Sequence, residues 1–320
     1  MDDTKRLVLW GLKYETIKPI GKGAFGNLVL VQDKKDPNMQ CVAKIIDTTN
    51  LKEKQRDLAL NEANVLATLK HPHIIQYKEC YTDGDTFYIV MEYAQHGDLY
   101  SRIQKQRAST KPGEALATFP VEQTLRWFVQ MTTALFYLHS NDIMHRDLKS
   151  KNILITDEDD LKIGDFGFSR VLEYKNRTDT VCGTPNYMAP EILANKPYNF
   201  KCDVWALGCI LYECAMLQYA FVGHGRGGAA QINSLLQKVT KAEYQSLEGF
   251  PDEFRCLLEQ LLCPDPEQRL SCRKILKLPY VNDHLIVYLK SITDDQVKEI
   301  FEEEMLHLNE DPDTEDDEDQ

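Results

Sequence analysis

Nine consecutive positions, Met144-His145-Arg146-Asp147-Leu148-Lys149-Ser150-Lys151-Asn152, gather side chains able to do chemistry. Asp147 is a carboxylate of the kind that orients a hydroxyl and takes its proton. Lys149, two positions on, suits neutralisation of negative charge at a reacting centre. Asn152 and, further along, Asp165 of Asp165-Phe166-Gly167 are hard oxygen donors, which suit a cation such as Mg2+. A base, an anion-neutralising lysine and two hard ligands fit transfer of a highly charged group to a hydroxyl.

Two weaker features lie upstream. Gly21, Lys22, Gly23, Ala24, Phe25 and Gly26 spell GxGxxG. In a dinucleotide-binding fold the third glycine opens a helix, whereas Gly26 is followed by the strand-like Asn27-Leu28-Val29-Leu30-Val31. A glycine hairpin lets backbone N–H groups approach a polyphosphate; an ordinary flexible hairpin is the other reading. Lys44, in Cys41-Val42-Ala43-Lys44, has apolar neighbours on both sides and is costly to bury without a partner. Glu62 is the candidate carboxylate, and a solvent-facing lysine on an edge strand is the alternative.

These residues need elements to hold them. Residues 14–20, 27–33 and 40–46 alternate β-branched and polar positions and predict three strands, the last two joined by a turn at 34–38. Residues 51–70 have helical period, and strands follow at about 74–81 and 86–93 around Asp83-Gly84. Thereafter the pattern is mainly helical, at 122–141, 199–217, 228–240, 252–263 and 271–277. Residues 104–120 and 224–228 predict loops. Thr293 and Gln296 form a capping box for an amphipathic helix carrying Val297, Ile300, Phe301, Met305 and Leu308.

The 320 residues include 50 acids and 37 bases, a net charge of −13. From Ser291 onward there are fourteen acids and one lysine, so the rest of the chain is neutral. That excludes a broadly basic nucleic-acid binder. The segment from Asn309 is expected to be disordered, either as a solvating tail or as an element recruiting a basic partner. No stretch approaches a membrane span, Leu7–Trp10 is too short for a signal sequence, and the nine scattered cysteines read as reduced thiols.

The catalytic segment, Asp165-Phe166-Gly167 and the downstream Met188-Ala189-Pro190-Glu191 together resemble the motifs of eukaryotic protein kinases, over roughly Tyr14 to Tyr280. That resemblance implies an α+β bilobal fold. A 1–13 extension would precede the kinase domain at 14–285, divided into an N-lobe at about 14–92 and a C-lobe at about 93–285. A helical extension at 286–308 and an acidic tail at 309–320 would follow. It also implies ATP and Mg2+, with Asp147 as base and Asn152 and Asp165 on the metal. The glycine hairpin becomes a phosphate lid, and Lys44, held by Glu62, meets the α- and β-phosphates. Leu28 and Val29, the gatekeeper Met91, the hinge Glu92-Tyr93-Ala94 and Asp98, as a ribose contact, would complete the nucleotide site. Leu66, His145 and Phe166 would stack between the lobes. Glu191 and Arg269 would form a buried ion pair, and Asp203 would anchor the catalytic loop.

Lys149 and Gly183-Thr184-Pro185 are similar to the serine/threonine-specific branch, with Thr184 expected against Asp147. Glu92–Tyr100, Leu125–Gln130, Cys182–Met188 and Asn195–Cys209 resemble NIMA-related kinases. His96 and the 104–120 and 223–228 stretches depart from that pattern. The resemblance implies protein substrates, with Phe168 favouring serine over threonine. Arg146 points to a phospho-switch at Thr180, or its neighbour Thr178, set by an upstream kinase or by autophosphorylation. Nucleic acid and membrane are not expected partners. A cytoplasmic setting near microtubules, centrosomes or cilia is an expectation from the family alone. A non-catalytic scaffold and a small-molecule phosphotransferase are the competing classes.

Overall fold

The computed structural model describes residues 13–22, 26–49, 53–111, 116–167, 170–171, 184–224 and 228–309. The first lobe is one antiparallel sheet of β1 (Tyr14–Lys22), β2 (Asn27–Asp33), β3 (Gln40–Asp47), β4 (Tyr77–Asp83) and β5 (Thr86–Glu92), in the order β1-β2-β3-β5-β4. Helix α1 (Glu53–Thr68) lies between β3 and β4 in the chain. Alternation divides the sheet into two faces. Tyr14, Val29, Val31, Cys41, Ala43 and Val90 pack on one, and Ile46, Phe87 and Ile89 join Ala63 of α1 on the other.

The second lobe is helical: α2 (Leu99–Ala108), α3 (Val121–Ser140), α4 (Pro190–Leu193), α5 (Lys201–Met216), α6 (Gly228–Thr240), α7 (Asp252–Leu261), α8 (Cys272–Leu276), α9 (Pro279–Ser291) and α10 (Asp295–Asn309). Short pairs β6 (Ile143–Met144) with β9 (Arg170–Val171), and β7 (Ile153–Ile155) with β8 (Leu161–Ile163), carry the chemistry-bearing loops. α3 and α5 are the buried axis of this lobe, with Trp127, Phe128, Trp205 and Tyr212 almost wholly enclosed. The bilobal α+β architecture expected from the sequence is present.

Four local expectations are corrected. The strand placed at about 74–81 starts at Tyr77. Ile74 and Ile75 are each 1% exposed, and Ile75 N–H donates to Ile163 O at 2.9 Å, so this apolar pair joins the second lobe. The 104–120 loop begins only after Ala108, because α2 buries Leu99 and Ile103 one turn apart and Asp98 caps it through Ser101 N–H. Asp294, not Thr293, caps α10, accepting from Gln296 and Val297 N–H at 2.8 and 3.1 Å. Finally, α9 runs unbroken across residue 285, where the sequence divided domain from extension.

The acidity is also redistributed. Six of the fourteen acids after Ser291 belong to α10 and its cap, and Glu304 among them is buried against the body. Residues 310–320 and 225–227 lie outside the described residues, as do the expectations made for them. Among the described residues no helix is long and apolar enough to cross a membrane, and no three or more His, Cys, Asp or Glu side chains gather as a metal-ion site.

Candidate active site

The loop after β6 is held from below by Asp203, in the first turn of α5. Its Oδ2 accepts the His145 N–H and its Oδ1 the Arg146 N–H, both at 2.9 Å. Arg146 has φ of 66°, a left-handed conformation unfavourable for a residue with a side chain, which these bonds sustain. His139 Nε2 stands 3.1 Å from Asp203 Oδ2 and Cys272 Sγ 3.6 Å from His139 Nδ1. Burial opposes charge on His139, but the Cys272 sulfur and the Asp203 carboxylate bring it up to about 9. Burial would likewise raise Asp203, and the His139 hydrogen bond and charge hold it below the usual carboxylate range.

Asp147 is thereby set at the centre of three polar partners. Lys149 Nζ lies 2.6 Å from its Oδ2, Thr184 Oγ1 3.3 Å from its Oδ1, and Asn152 Nδ2 2.8 Å from its backbone oxygen. The Thr184 contact expected from the sequence is present. Asn152 spends its amide donor on Asp147, and its amide oxygen can act only as an acceptor or ligand.

His145 couples this loop to Asp165. Its Nδ1 accepts the Asp147 N–H at 3.4 Å, so Nε2 carries the proton and donates to Gly164 O at 3.1 Å. Phe166 is fully buried with its ring 5.0 Å from the His145 ring, and Leu66 belongs to the same core. Asp165 also has positive φ, 60°, and its Oδ1 is enclosed with no hydrogen-bond partner among the described residues. Lys44 Nζ lies 3.6 Å from that oxygen, and its side chain is only 4% exposed. An enclosed carboxylate oxygen without a donor is the kind of ligand a hard divalent cation takes, and the Asn152 amide oxygen is of the same hard class. The residues fit Mg2+.

Other expected site residues fall as follows. The Glu62 side chain lies outside the described residues, as do Gly23, Ala24, Phe25, Phe168, Thr178 and Thr180. Gly26 is packed so closely on β3 that a Cβ would come 2.2 Å from Ile45 O, which fixes glycine there irrespective of any ligand. Gly21 and Lys22 end β1 in exposed positions. Leu28 pairs with Lys44 and shares its face, but Val29 pairs with Ala43 and joins the opposite cluster. Val29 is therefore corrected: strand alternation turns it away from the cleft.

Val42, two residues before Lys44 and opposite Met91, is the cleft-face residue that motif reading missed. Period two counted from Lys44 was the signal for it. Glu92 turns its Oε1 to Lys162 at 2.9 Å and accepts the Gln76 N–H on the same oxygen at 2.8 Å. Ala94 is buried beside it. Asp98 gives one oxygen to Ser101 N–H and the other to its hydroxyl, so capping α2 accounts for its carboxylate.

Glu191 and Arg269 form the expected buried pair, bidentate at 2.8 and 3.1 Å.

A family model described as the protein kinase domain matches residues 14–281. The chain is similar to the mouse serine/threonine-protein kinase Nek4, with 39% identity over 87% of this chain and 34% of that protein. Mouse Nek1 is 38% identical over 87% of this chain and 22% of its own length, and human Nek5 36% over 92% and 39%. The chain thus spans about a fifth to two fifths of the length of these relatives.

Proposed function

The chain belongs to the protein kinase family, and from that premise we propose that it transfers the γ-phosphoryl group of ATP to serine or threonine hydroxyls of proteins. The observation that carries this is the convergence on Asp147 of Lys149, Thr184 and Asn152. One Asp147 oxygen, held by Lys149, is fixed in direction; the other, shared with Thr184, faces the position an acceptor hydroxyl takes. Asp147 orients that hydroxyl and receives its proton as the phosphoryl group leaves ATP. Lys149 balances the charge gathering beside the base, and Lys44 neutralises the phosphates from the opposite wall. Asn152 and Asp165 would hold Mg2+, which supplies charge neutralisation on the phosphate oxygens when bound. The cleft keeps the Lys44 side chain out of bulk water, so its charge acts more strongly on a bound phosphate than it would in solvent.

We also propose that phosphorylation at Thr180 activates the enzyme, on the strength of Arg146 beside Asp147, and that Phe168 favours serine acceptors. An unbiased serine and threonine peptide library incubated with ATP and Mg2+ tests the function. Wild-type protein should phosphorylate it. Asp147→Asn should lower kcat by about 100-fold or more at similar stability. Transfer by Asp147→Asn and Asp165→Asn at the wild-type rate would sink the assignment.

A further inference from the structure

Lys151 stands in the same loop as Asp147, four positions on, and is exposed. Its Nζ sits 4.8 Å from the centre of the Tyr100 ring. Tyr100, in the first turn of α2, stacks on Tyr219 at 6.4 Å and 15°. Tyr219 meets Tyr187 edge-on at 5.8 Å, and Tyr187 closes the turn whose first residue, Thr184, touches Asp147. Ser150, next to Lys151, bonds the Tyr187 hydroxyl at 2.9 Å. One continuous wall therefore runs from the Asp147 carboxylate to the Lys151 ammonium.

The Lys151 end of this wall carries a positive charge. Among the described residues no carboxylate forms a salt bridge with Lys151. Glu213 lies close enough to feel it, but is 1% exposed, and its burial raises it above the ordinary carboxylate range despite the Tyr187 hydroxyl bond and the lysine. The Tyr100 face under Lys151, itself backed by Tyr219, keeps the ammonium at the surface and restricts its motion, which favours pairing with an anion arriving from solvent.

We propose that Lys151, set on Tyr100, is a specificity residue that takes an acidic side chain, Asp, Glu or a phosphorylated residue, close to the acceptor hydroxyl of a protein substrate. This rests on the kinase reading of the same site. Four loop residues span at most about 14 Å, and an extended peptide advances about 3.3 Å per residue. The acidic residue therefore lies within about four positions of the acceptor. A lysine or arginine at that position meets Lys151 head-on and is rejected.

The test scans Asp, phosphoserine, Ala and Lys through every position within four residues of a fixed acceptor, reading kcat/KM for each peptide. Wild type should favour Asp over Lys at one position by about tenfold, and phosphoserine at least as strongly. Lys151→Ala should collapse that ratio toward one, Lys151→Glu should invert it, and Lys151→Arg should restore it. Tyr100→Ala should weaken it by releasing the ammonium. A wild-type preference for Lys at every position, or the same ratio in Lys151→Ala, overturns the proposal while the kinase reading stands. Transfer to no peptide at all overturns the kinase reading and this inference with it.

Discussion

His71 Nε2 donates to Glu304 Oε2 at 3.2 Å, joining the turn after α1 to α10 across 233 residues of sequence. The tautomer follows from the backbone, because His73 N–H donates to His71 Nδ1 at 3.1 Å and leaves the proton on Nε2. Phe301, one helical turn before the next contact, packs against the rings of His71, His73 and Tyr288 at 5.6, 6.0 and 5.9 Å. α10 is thus tied to the turn after α1, and Arg273 donates to the His307 and Leu308 carbonyls at its C-terminal end.

This pair sets a pH dependence. Burial raises Glu304 to about 8 and, with the Lys162 charge, lowers His71 to about 3, so the contact is a neutral hydrogen bond rather than an ion pair. A raised carboxyl contributes stability that is present below its unfolded value and lost as pH climbs through about 8. His71 acts in reverse, losing stability as pH falls from its ordinary value toward about 3. Above about pH 6.5 only the Glu304 loss remains of the two. The Tm of wild type should therefore fall more steeply between about pH 6.5 and 8 than that of Glu304→Gln. His139, raised to about 9, adds a decline common to both proteins. Parallel Tm profiles would contradict the neutral pair.

Asp203→Asn should uncouple stability from catalysis. The amide still accepts one backbone N–H but presents a donor to the other, at a cost of about 1–3 kcal/mol. With Arg146 held at φ of 66° by that bond, the larger effect should be on kcat, with KM for ATP little changed. Urea unfolding and steady-state kinetics on the same preparation separate the two.

Arg269→Ala leaves Glu191 charged and enclosed, since the pair is 0% and 4% exposed. Breaking a buried pair from one side typically costs about 3–5 kcal/mol. Arg269 also donates to the Cys263 and Lys201 carbonyls, so Arg269→Lys should recover only part of the loss. Denaturant midpoints measure both.

Gly208→Ala probes the contact between α5 and α7. A Cβ there would lie 2.8 Å from Leu261 Cβ and 2.9 Å from Leu262 Cδ2. Overpacking of this kind costs about 1–3 kcal/mol, so the unfolding midpoint should drop while activity per folded molecule holds. Gly26→Ala should affect the nucleotide site as well. Its clash with Ile45 O displaces β2 from β3, so KM for ATP should rise and the unfolding midpoint should drop.

Much of this was legible in the sequence, for definable reasons. Asp147, Lys149 and Asn152 come from one short segment, so their proximity is nearly covalent. Strands β1 to β3 announce themselves by period two, and α3 by its apolar residues. Val29 was misassigned because a motif names neighbours without saying which face each takes. α2 was missed in part because only Leu99 and Ile103 are buried in a polar helix.

The sequence by itself determined the kinds of groups at the site, their order, and the neutrality of the body apart from its acidic end. Tertiary structure alone decided what those groups meet. The Asp203 bonds to the catalytic loop span 57 and 58 residues, the Arg269–Glu191 pair 78, and the His71–Glu304 contact 233. No local pattern encodes such pairings, because they follow from how helices and sheet pack around a shared core. The same packing buried Glu304 alone among the acids of its helix and left Lys151 exposed on Tyr100. Burial, not residue type, settled which charges remain available to act.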